Sequence, residues 1–185
     1  EKELTTNWRQ KKDPKFYNLC QSLRGSMSRE DAIKVVKLLN RRVIKTPKVR
    51  DDLIGSMGDF NSMYIAGINS QCDSINRECY KTLNTEGCKI ICTQTHNHKK
   101  IKIPNGRVGI IRSFDLKKDE YVVDIQDIKN GLIFKKSQLQ SRFKFAMALT
   151  IHKSQGKTLR NKVIINPSRL FEENHLYVAL TRATS

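Results

Sequence analysis

Short apolar segments that alternate with helix patterns are the feature that most constrains the fold of this 185-residue chain. Residues 63–68 (MYIAGI) have the pattern of a short buried strand, and a polar-faced helix pattern follows at once from Asn69. Residues 144–151 and 162–168 are two further apolar segments, which we predict to be core strands. A strand followed directly by a helix is the βα unit of parallel sheets. The sequence therefore predicts an α/β domain with a parallel sheet flanked by helices.

The pattern changes to short strands alone between residues 106 and 139. Three strand patterns, RVGIIRSF, EYVVDIQ and GLIFKKSQL, are separated by turn signals at residues 115–119 and at Asn130–Gly131. A lysine-bearing loop with a turn at Asn105–Gly106 precedes them. We therefore predict one domain formed by residues 1–97 and 142–185, with a small all-β insert at residues 98–141.

Helix signals also occur near the start of the chain. Asp13–Pro14 suits a helix N-terminus and Gly25 suits its end, so these residues bound one predicted helix. Ser28 and Asp31 form a capping-box pattern before a second predicted helix, residues 28–42.

The charge balance points to a polyanionic partner. Lysine and arginine number 35 against 18 acidic residues, which gives a formal net charge of +17. Such an excess attracts nucleic acid with a strong dependence on salt, although a generally basic, solvated surface is the alternative. The sequence contains neither an apolar run long enough to span a bilayer nor a signal-peptide pattern. We therefore expect an intracellular protein, in the cytoplasm or nucleus, or in a host cell if the protein is viral, without a membrane partner.

One group of cysteines and histidines has a spacing that zinc could use. Cys88, Cys92, His96 and His98 form C-x3-C-x3-H-x-H, a ligand set that zinc accepts. The KIIC segment, however, has the pattern of a buried strand, in which free cysteine acts as a small hydrophobic residue. The five cysteines of the chain also fit reduced thiols. We therefore predict no metal site.

Residues 150–158 (TIHKSQGKT) concentrate polar groups at a predicted strand-to-helix junction. Thr150, His152, Lys153 and Ser154 offer hydroxyl, imidazole and ammonium donors, which can hold a phosphate without reading base sequence. A structural histidine is the alternative for His152. The GKT triplet is not a Walker A loop, because Ile151 stands where that loop needs its first glycine. The chain therefore has no complete ATP site of its own.

Two arginines have contexts that suit phosphate chemistry. Arg182 ends the apolar helix pattern LYVALTRA (residues 176–183), and Arg9 lies in LTTNWRQ (residues 4–10). Arginine stays charged and binds two phosphate oxygens with one planar group, which suits stabilisation of phosphoryl transfer. A helix-end arginine that interacts with the helix dipole is the alternative for Arg182.

Together, LTTNWRQ, TIHKSQGKT and LYVALTRA resemble motifs IV, V and VI of superfamily-one helicases, closest to the RecD, Dda and Pif branch. We name residues 150–158 the motif V segment and residues 176–183 the motif VI segment. The resemblance implies a second RecA-like domain whose insert is a small β-barrel of the Src-homology type. It implies that Arg182 and Arg9 are catalytic, that both bind nucleotide together with Gln155 and Gly156, and that the single strand contacts Thr150, His152, Lys153, Ser154, Asn69, Lys99 and Lys100.

Two of these assignments have plain structural alternatives. Asn69 can equally be an ordinary helix N-cap, and the run that contains Lys99, Lys100 and Lys102 can equally be a solvated loop.

The resemblance implies the C-terminal motor domain of an ATP-dependent DNA helicase, with 5′-to-3′ polarity. Its implied cofactors are ATP and Mg²⁺, held mainly by an N-terminal RecA-like domain of the same polypeptide, and its implied partners are that domain, single-stranded DNA and other replication proteins. Because the chain starts inside a recognisable motif, we expect a fragment of a longer polypeptide that cannot hydrolyse ATP alone. A viral superfamily-one RNA helicase and a non-catalytic nucleic-acid-binding module are the alternatives.

Overall fold

A computed structural model describes residues 12–24, 57–82, 86–128, 130–170 and 174–184, together with residues 30, 33, 37, 51 and 53. The elements of this part of the chain are, in order, α1 (Pro14–Ser22), β1 (Met63–Ala66), α2 (Asn69–Thr82), β2 (Lys89–Cys92), β3 (His96–His98), β4 (Ile101–Ile103), β5 (Val108–Asp115), β6 (Glu120–Ile125), β7 (Leu132–Lys135), α3 (Lys136–Arg142), β8 (Phe143–Phe145), β9 (Ala148–Thr150), α4 (Ile151–Ser154), β10 (Val163–Ile165) and α5 (His175–Leu180).

A three-stranded parallel sheet, in the order β10-β1-β9, forms the first half of the fold. All four residues of the central strand β1 are buried, because helices cover both faces of the sheet. Tyr64 and Ala66 share a core with Cys72 and Cys79 of α2. On the opposite face, residues of β1 pack with others from α4 and α5 in a second core, which contains Met63, Ile65, Ile151 and Ala179. The predicted α/β class with a helix-flanked parallel sheet is confirmed.

A five-stranded antiparallel sheet, in the order β7-β6-β5-β2-β8, forms the second half. Its core contains Ile111, Val123, Phe134 and Phe143, all buried. The sheet includes β2 and β8, which lie outside the predicted insert of residues 98–141. The bounds of the insert stay a prediction.

The predicted strand at residues 144–151 is wrong in its extent. The segment is divided between two strands that belong to different sheets: β8 pairs with β2, and β9 pairs with β1. Ala146 and Met147 form the connection, where the Ala146 N–H donates to Lys89 O and Met147 O accepts from the Tyr64 N–H. Residues 145–149 (FAMAL) form an apolar run that gives no sign of such a division, because each of them is suited to burial in either sheet.

Two further segments differ from the prediction. The predicted loop before Asn105 contains the β3–β4 hairpin, in which His98 pairs with Ile101 and Ile103 is buried. In the predicted strand GLIFKKSQL, only the first half is a strand. The second half is helix α3, whose start is fixed by the Gln138 side chain accepting from the Lys135 N–H.

The first predicted helix is present as α1. Asp13 is its N-cap, and the Asp13 carboxylate accepts from the Phe16 N–H at 2.9 Å. Its predicted end at Gly25 lies outside the described residues. Phe16, Leu19 and Cys20 pack against Leu180 and Ala183, so α1 supports the C-terminal helix α5.

Most of the second predicted helix, residues 28–42, lies outside the described residues, although residues 30, 33 and 37 are helical. The helices that the structure describes include none that could cross a membrane.

A buried lysine joins the two sheets. Lys89 of β2 is completely buried, and its ammonium group donates to the carbonyl of Ser62, the residue before β1. The nearby Asp59 carboxylate accepts from the Ser62 hydroxyl and from Asn161, which precedes β10. Burial lowers the pKa of Lys89 from 10.5 to about 8, because it disfavours the charged ammonium group. The negative charge of Asp59 raises this pKa but is the smaller effect.

We expect Lys89→Met to remove one component of the pH dependence of stability. Because the pKa of Lys89 is lower in the folded than in the unfolded protein, the unfolded state binds more protons between about pH 8 and 10.5. As pH rises through this range, the free energy of unfolding of the wild type should therefore increase by on the order of 2–3 kcal/mol more than that of Lys89→Met. Denaturant unfolding at pH 7 and pH 10 measures this difference.

Lys102→Met, at an exposed position of β4, is the control, and its curve should run parallel to that of the wild type. Parallel curves for the wild type and Lys89→Met would contradict the depressed pKa.

Candidate nucleic-acid and nucleotide interface

The motif V segment begins where parallel strand β9 ends. Thr150 is the N-cap of α4, and its hydroxyl oxygen accepts from the Lys153 N–H at 3.4 Å. Ile151 and Ser154 face the core, whereas His152 and Lys153 are exposed. The buried pair anchors the short helix, so that the imidazole and the ammonium group are presented to solvent.

The prediction that Ser154 contacts the nucleic acid is revised. Its side chain is completely buried, and its hydroxyl donates to Ile151 O at 2.7 Å. This hydroxyl closes the turn of α4 and does not face a ligand. Ser154 therefore has a structural role here.

Asn69 lies at the same sheet edge as Thr150. It is the exposed first residue of α2, just after β1, and Ala66 at the end of β1 pairs with Thr150. Because parallel strands end at a common edge, the loops that follow them are neighbours. The structure thus places these two predicted strand contacts on one edge.

The loop after β10 also packs at this edge. A side chain at Gly67 would place its Cβ 2.3 Å from Arg169 O, so the close approach of the two backbones requires glycine. The Gln71 amide of α2 donates to the Ser168 hydroxyl at 2.7 Å. The edge is therefore formed by three loops, one after each parallel strand.

Gln155 and Gly156, the predicted nucleotide contacts, are exposed. Gly156 has φ +78°, a conformation that strains other residues, and no atom lies within 4 Å of the position of a Cβ. The next residue, Lys157, donates from its ammonium group to Gly106 O at 2.9 Å. This bond ties the motif V segment to the turn before β5.

A groove of about 810 Å³ separates the motif V segment from that turn and from residues 60–63. Its charged lining residues are Arg107, Asp127, Lys153, Lys157 and Arg160, four cations against one carboxylate. Asp127 forms an ion pair with Arg107. Burial, with the charge of Arg107 as a smaller cause, lowers the pKa of Lys157. The groove is thus positively charged and open, as the binding of an anionic chain requires.

The motif VI segment is joined to Leu159, the residue that follows the motif V segment. Leu159 forms a parallel bridge with Ala183, and the Leu159 N–H donates to Arg182 O at 2.9 Å. The Arg182 guanidinium turns back onto its own helix, where it donates to Val178 O at 3.0 Å and to the Thr181 hydroxyl at 3.1 Å. This is the helix-end arrangement that the sequence offered as the alternative.

His152 also contacts the motif VI segment's helix. Its ring lies edge-on to that of buried His175, with 5.3 Å between the ring centres. Part of the role of His152 is therefore packing between α4 and α5. Its contact with nucleic acid stays a prediction.

Of the remaining predicted site residues, Lys99 and Lys100 lie away from the groove. Arg9 is outside the described residues. Lys99 and Lys100 are exposed at the tip of the β3–β4 hairpin, and Lys99 lines a separate cleft with Glu120, Lys135 and Arg142. None of the residues that line this cleft lines the groove beside the motif V segment.

The two cysteines of the zinc pattern belong to the hydrophobic core of the antiparallel sheet, and the rings of its two histidines, His96 partly buried and His98 buried, lie against Phe143 and Phe134. Cys88 and Cys92 are buried there, and the Cys92 thiol donates to Gln94 O at 3.0 Å and lies 3.5 Å from His96 Nδ1. Burial raises the pKa of Cys88 to about 11 and also raises that of Cys92, which favours neutral thiols. In the described ranges, no three His, Cys, Asp or Glu side chains are grouped as a metal would need.

Sequence reasoning missed the tether made by Lys157. Within the GKT triplet only Gly156 received a predicted role, although the side chain of Lys157 beside it is long enough to reach a neighbouring backbone carbonyl. Arg107 was also missed, since it was seen only as the first residue of a strand pattern.

Comparison with known proteins gives a family match over most of the chain. The profile of the viral superfamily 1 RNA helicase core domain matches residues 60–185. The ATP-dependent DNA helicase PIF1 of Candida albicans is 47% identical over 49 residues, which is 26% of this chain and 5% of that protein.

Solved structures of Pif1 helicases share the fold. The Pif1 helicase from Candida albicans superposes with a TM-score of 0.64 at 21% identity, over 97% of this chain and 53% of its own. Pif1 from Bacteroides, in complex with ADP-AlF3 and ssDNA, gives 0.66 at 21% identity, over 100% of this chain and 50% of its own. The chain spans about half the length of these structures. The predicted resemblance to the Pif branch is confirmed.

We expect Thr150→Ala, in the complete polypeptide that contains this chain, to weaken single-strand binding by about 1 kcal/mol, roughly fivefold in dissociation constant. The change leaves the net charge untouched but removes the hydroxyl that caps α4. Fluorescence anisotropy with a labelled oligonucleotide measures the loss. Thr150→Ser retains the cap and should bind like the wild type, and equal losses in both variants would contradict a role for the hydroxyl.

Proposed function

Because this chain belongs to the family of viral superfamily 1 RNA helicase core domains, we propose that it is the C-terminal motor domain of an ATP-dependent helicase that translocates on single-stranded nucleic acid and unwinds duplex. The observation that carries the proposal is the junction of the motif V and motif VI segments. Leu159, the residue after the motif V segment, bridges to Ala183 of the motif VI segment, so a segment suited to gripping a strand is held beside one that carries an arginine suited to phosphate. A change at one segment can therefore reach the other through the backbone.

The proposed domain arrangement is a second RecA-like domain, residues 1–97 and 142–185, with residues 98–141 as an inserted barrel of the Src-homology type. The parallel sheet β10-β1-β9 supports the first assignment. The five-stranded antiparallel sheet with its own core supports the second. An N-terminal RecA-like domain of the same polypeptide would complete the motor.

ATP would bind between the two RecA-like domains. Arg182, Gln155 and Gly156, with Arg9, would supply donors to the phosphates from this side, and open space at Gly156 allows a phosphate to approach the backbone. The motif V and VI segments contain no Asp or Glu, so ligands for Mg²⁺ would come from the other domain together with the Walker loops. ATP would supply the γ-phosphoryl group that is transferred to water during hydrolysis.

The strand would be gripped at the edge where Asn69, Thr150, His152 and Lys153 lie. Lys99 and Lys100, at the hairpin tip, would contact the nucleic acid separately. Closure of the domains around ATP and their reopening after hydrolysis would alternate this grip and move the motor.

DNA is the proposed substrate, supported by the similarity to the Pif1 DNA helicases, and 5′-to-3′ is the proposed polarity. An RNA substrate is the second candidate, because the matching family is described as viral RNA helicases. We propose an intracellular role in DNA replication or repair, in the cytoplasm, the nucleus or an infected host cell, with other replication proteins as partners.

We expect Arg182→Ala in the complete polypeptide to retain ATP binding but to lose roughly 10³-fold in turnover, the scale of an arginine finger. Arg182→Lys keeps the charge without the planar fork and should recover little of the rate. Steady-state ATPase assays with a separate nucleotide-binding measurement give both quantities. Near-wild-type turnover in Arg182→Ala would mean that Arg182 only closes the end of α5.

We expect the complete polypeptide to bind single strands with little sequence preference and with an affinity that falls steeply as salt rises. Titrating matched DNA and RNA oligonucleotides over 50–300 mM salt tests this. Stronger ATPase stimulation by RNA than by DNA would favour the second candidate. Strand binding without any ATPase activity would favour a non-catalytic nucleic-acid-binding module.

A further inference from the structure

One buried side chain forms hydrogen bonds between helix α2 and strand β9. Asn76 lies in the middle of α2 and is almost completely buried. Its amide NH₂ donates to Ala148 O at 3.1 Å, and its amide oxygen accepts from the Ala148 N–H at 2.8 Å. Both polar groups of one backbone residue are therefore held by one side chain, 72 positions away in sequence.

The pairing of β9 explains why Ala148 needs this partner. In the described sheet, β9 has β1 on one side only. Met147 O points towards β1, where it accepts from the Tyr64 N–H. The polar groups of the next residue, Ala148, point to the opposite side, where Asn76 takes the place of a missing strand. Buried backbone groups without such a partner would be costly.

We call the two hydrogen bonds between Asn76 and Ala148 the amide clamp. The clamp affects the position of the proposed strand-gripping edge as well as the stability of the fold. Ala148 is two residues before Thr150, where the motif V segment begins. Asn76 is seven residues after Asn69, on the helix that this residue starts. The clamp thus fixes two segments of the proposed strand-gripping edge relative to one another: the start of α2 and the start of α4.

Asparagine is also a costly choice at this position. Its side chain competes with the backbone for hydrogen bonds and disfavours helix interiors. An apolar residue would suit the surrounding core, which contains Cys72, Cys79 and Met147. The position therefore needs a group that both donates and accepts.

We propose that Asn76 is a positioning residue for single-strand binding, which holds β9 so that the helix cap at buried Thr150 presents His152 and Lys153 in register with Asn69. The inference rests on the proposed function of this edge. Asn76 does not touch the nucleic acid, and it acts through the backbone of Ala148.

Asn76→Asp in the complete polypeptide tests this role. The carboxyl group of aspartate has the shape of the asparagine amide, but it can donate a hydrogen bond only when it is protonated. When protonated, the carboxyl group donates to Ala148 O and accepts from its N–H. When ionised, it has no donor and faces a carbonyl oxygen with a negative charge. Burial at this position disfavours the charged carboxylate and should raise its pKa from about 3.9 by roughly 2–4 units. The clamp is thus present at pH 5.5 and is lost by pH 8.

We expect Asn76→Asp to bind a single-stranded oligonucleotide roughly tenfold more weakly than the wild type at pH 8, and within about twofold of it at pH 5.5. Comparing variant and wild type at each pH removes the general effect of pH on binding. At saturating strand, the ATPase kcat should stay near that of the wild type, while the half-saturating strand concentration rises. Asn76→Ala, which cannot recover the donor, should bind weakly at both pH values.

Ile75→Ala is the matched control. Ile75 packs against the same core from the adjacent position of α2, and its truncation destabilises the protein without touching the clamp. It should retain wild-type strand affinity below its unfolding temperature. An affinity loss in Ile75→Ala equal to that in Asn76→Asp, or an Asn76→Asp affinity that does not recover at low pH, would overturn the inference.

Amide exchange tests the positioning without nucleic acid. The Lys153 N–H, which Thr150 caps, should exchange faster in Asn76→Asp at pH 8 than in Ile75→Ala. If Asn76→Asp does not fold at pH 8, Asn76→Ser, which keeps one small polar group, should show the same faster exchange. Unchanged exchange would overturn the inference, whereas failure of the wild type to bind any strand would instead overturn the proposed function.

Discussion

Strand β1 is hydrogen-bonded on both sides, to β9 and to β10, and its four residues are buried. Because all three strands run in the same direction, the loops that follow them leave the sheet at one edge. This pairing places the start of α2, the motif V segment and the loop at Arg169 side by side, although Asn69 lies 81 residues before Thr150 (150 − 69). The close packing of Gly67 against Arg169 O shows how little space is left between these backbones.

Two lysines connect this sheet with the antiparallel half, and each does so in a different way. Lys89 is completely buried and donates to Ser62 O at the start of β1, so it fixes the base of the junction. Lys157 is only partly buried and reaches Gly106 O across the groove. A buried charge is held strongly because separation from its partners would leave it unsolvated, whereas a lysine at a groove can exchange a carbonyl for a phosphate. The first contact therefore suits a rigid joint, and the second suits a contact that a ligand replaces.

The elements that sequence patterns predicted well are those with a clear local period or cap. β1 and α2 were found with nearly their observed bounds, and Asp13 was placed correctly at the start of α1. The division of residues 144–151 between two sheets was not found, because strand partners are chosen by long-range packing and leave no local signal. The Src-homology barrel, the insert bounds and the role of Arg9 stay predictions.

The sequence indicated which residues belong to the candidate site, but not which of their side chains face solvent. His152, Lys153, Gln155 and Gly156 are exposed as their proposed roles require, whereas Thr150 and Ser154 are buried. One turn of helix separates Ile151 from Ser154 and places them on the same buried face, a consequence of where α4 starts. Asn76 was missed because its partner is a backbone group, and no sequence pattern records a backbone partner 72 residues away.

The hydrogen bonds of Arg182 are compatible with two roles. The residue ends helix α5 and, under the proposed function, responds to nucleotide. Its guanidinium donates to two neutral acceptors, Val178 O and the Thr181 hydroxyl. A phosphate oxygen is a stronger acceptor because it is charged, so under the proposed function an arriving γ-phosphate can compete for these donors. The backbone carbonyl of Arg182 meanwhile remains bonded to the Leu159 N–H. The backbone of Arg182 therefore stays joined to Leu159, the residue after the motif V segment, whichever acceptor its guanidinium takes.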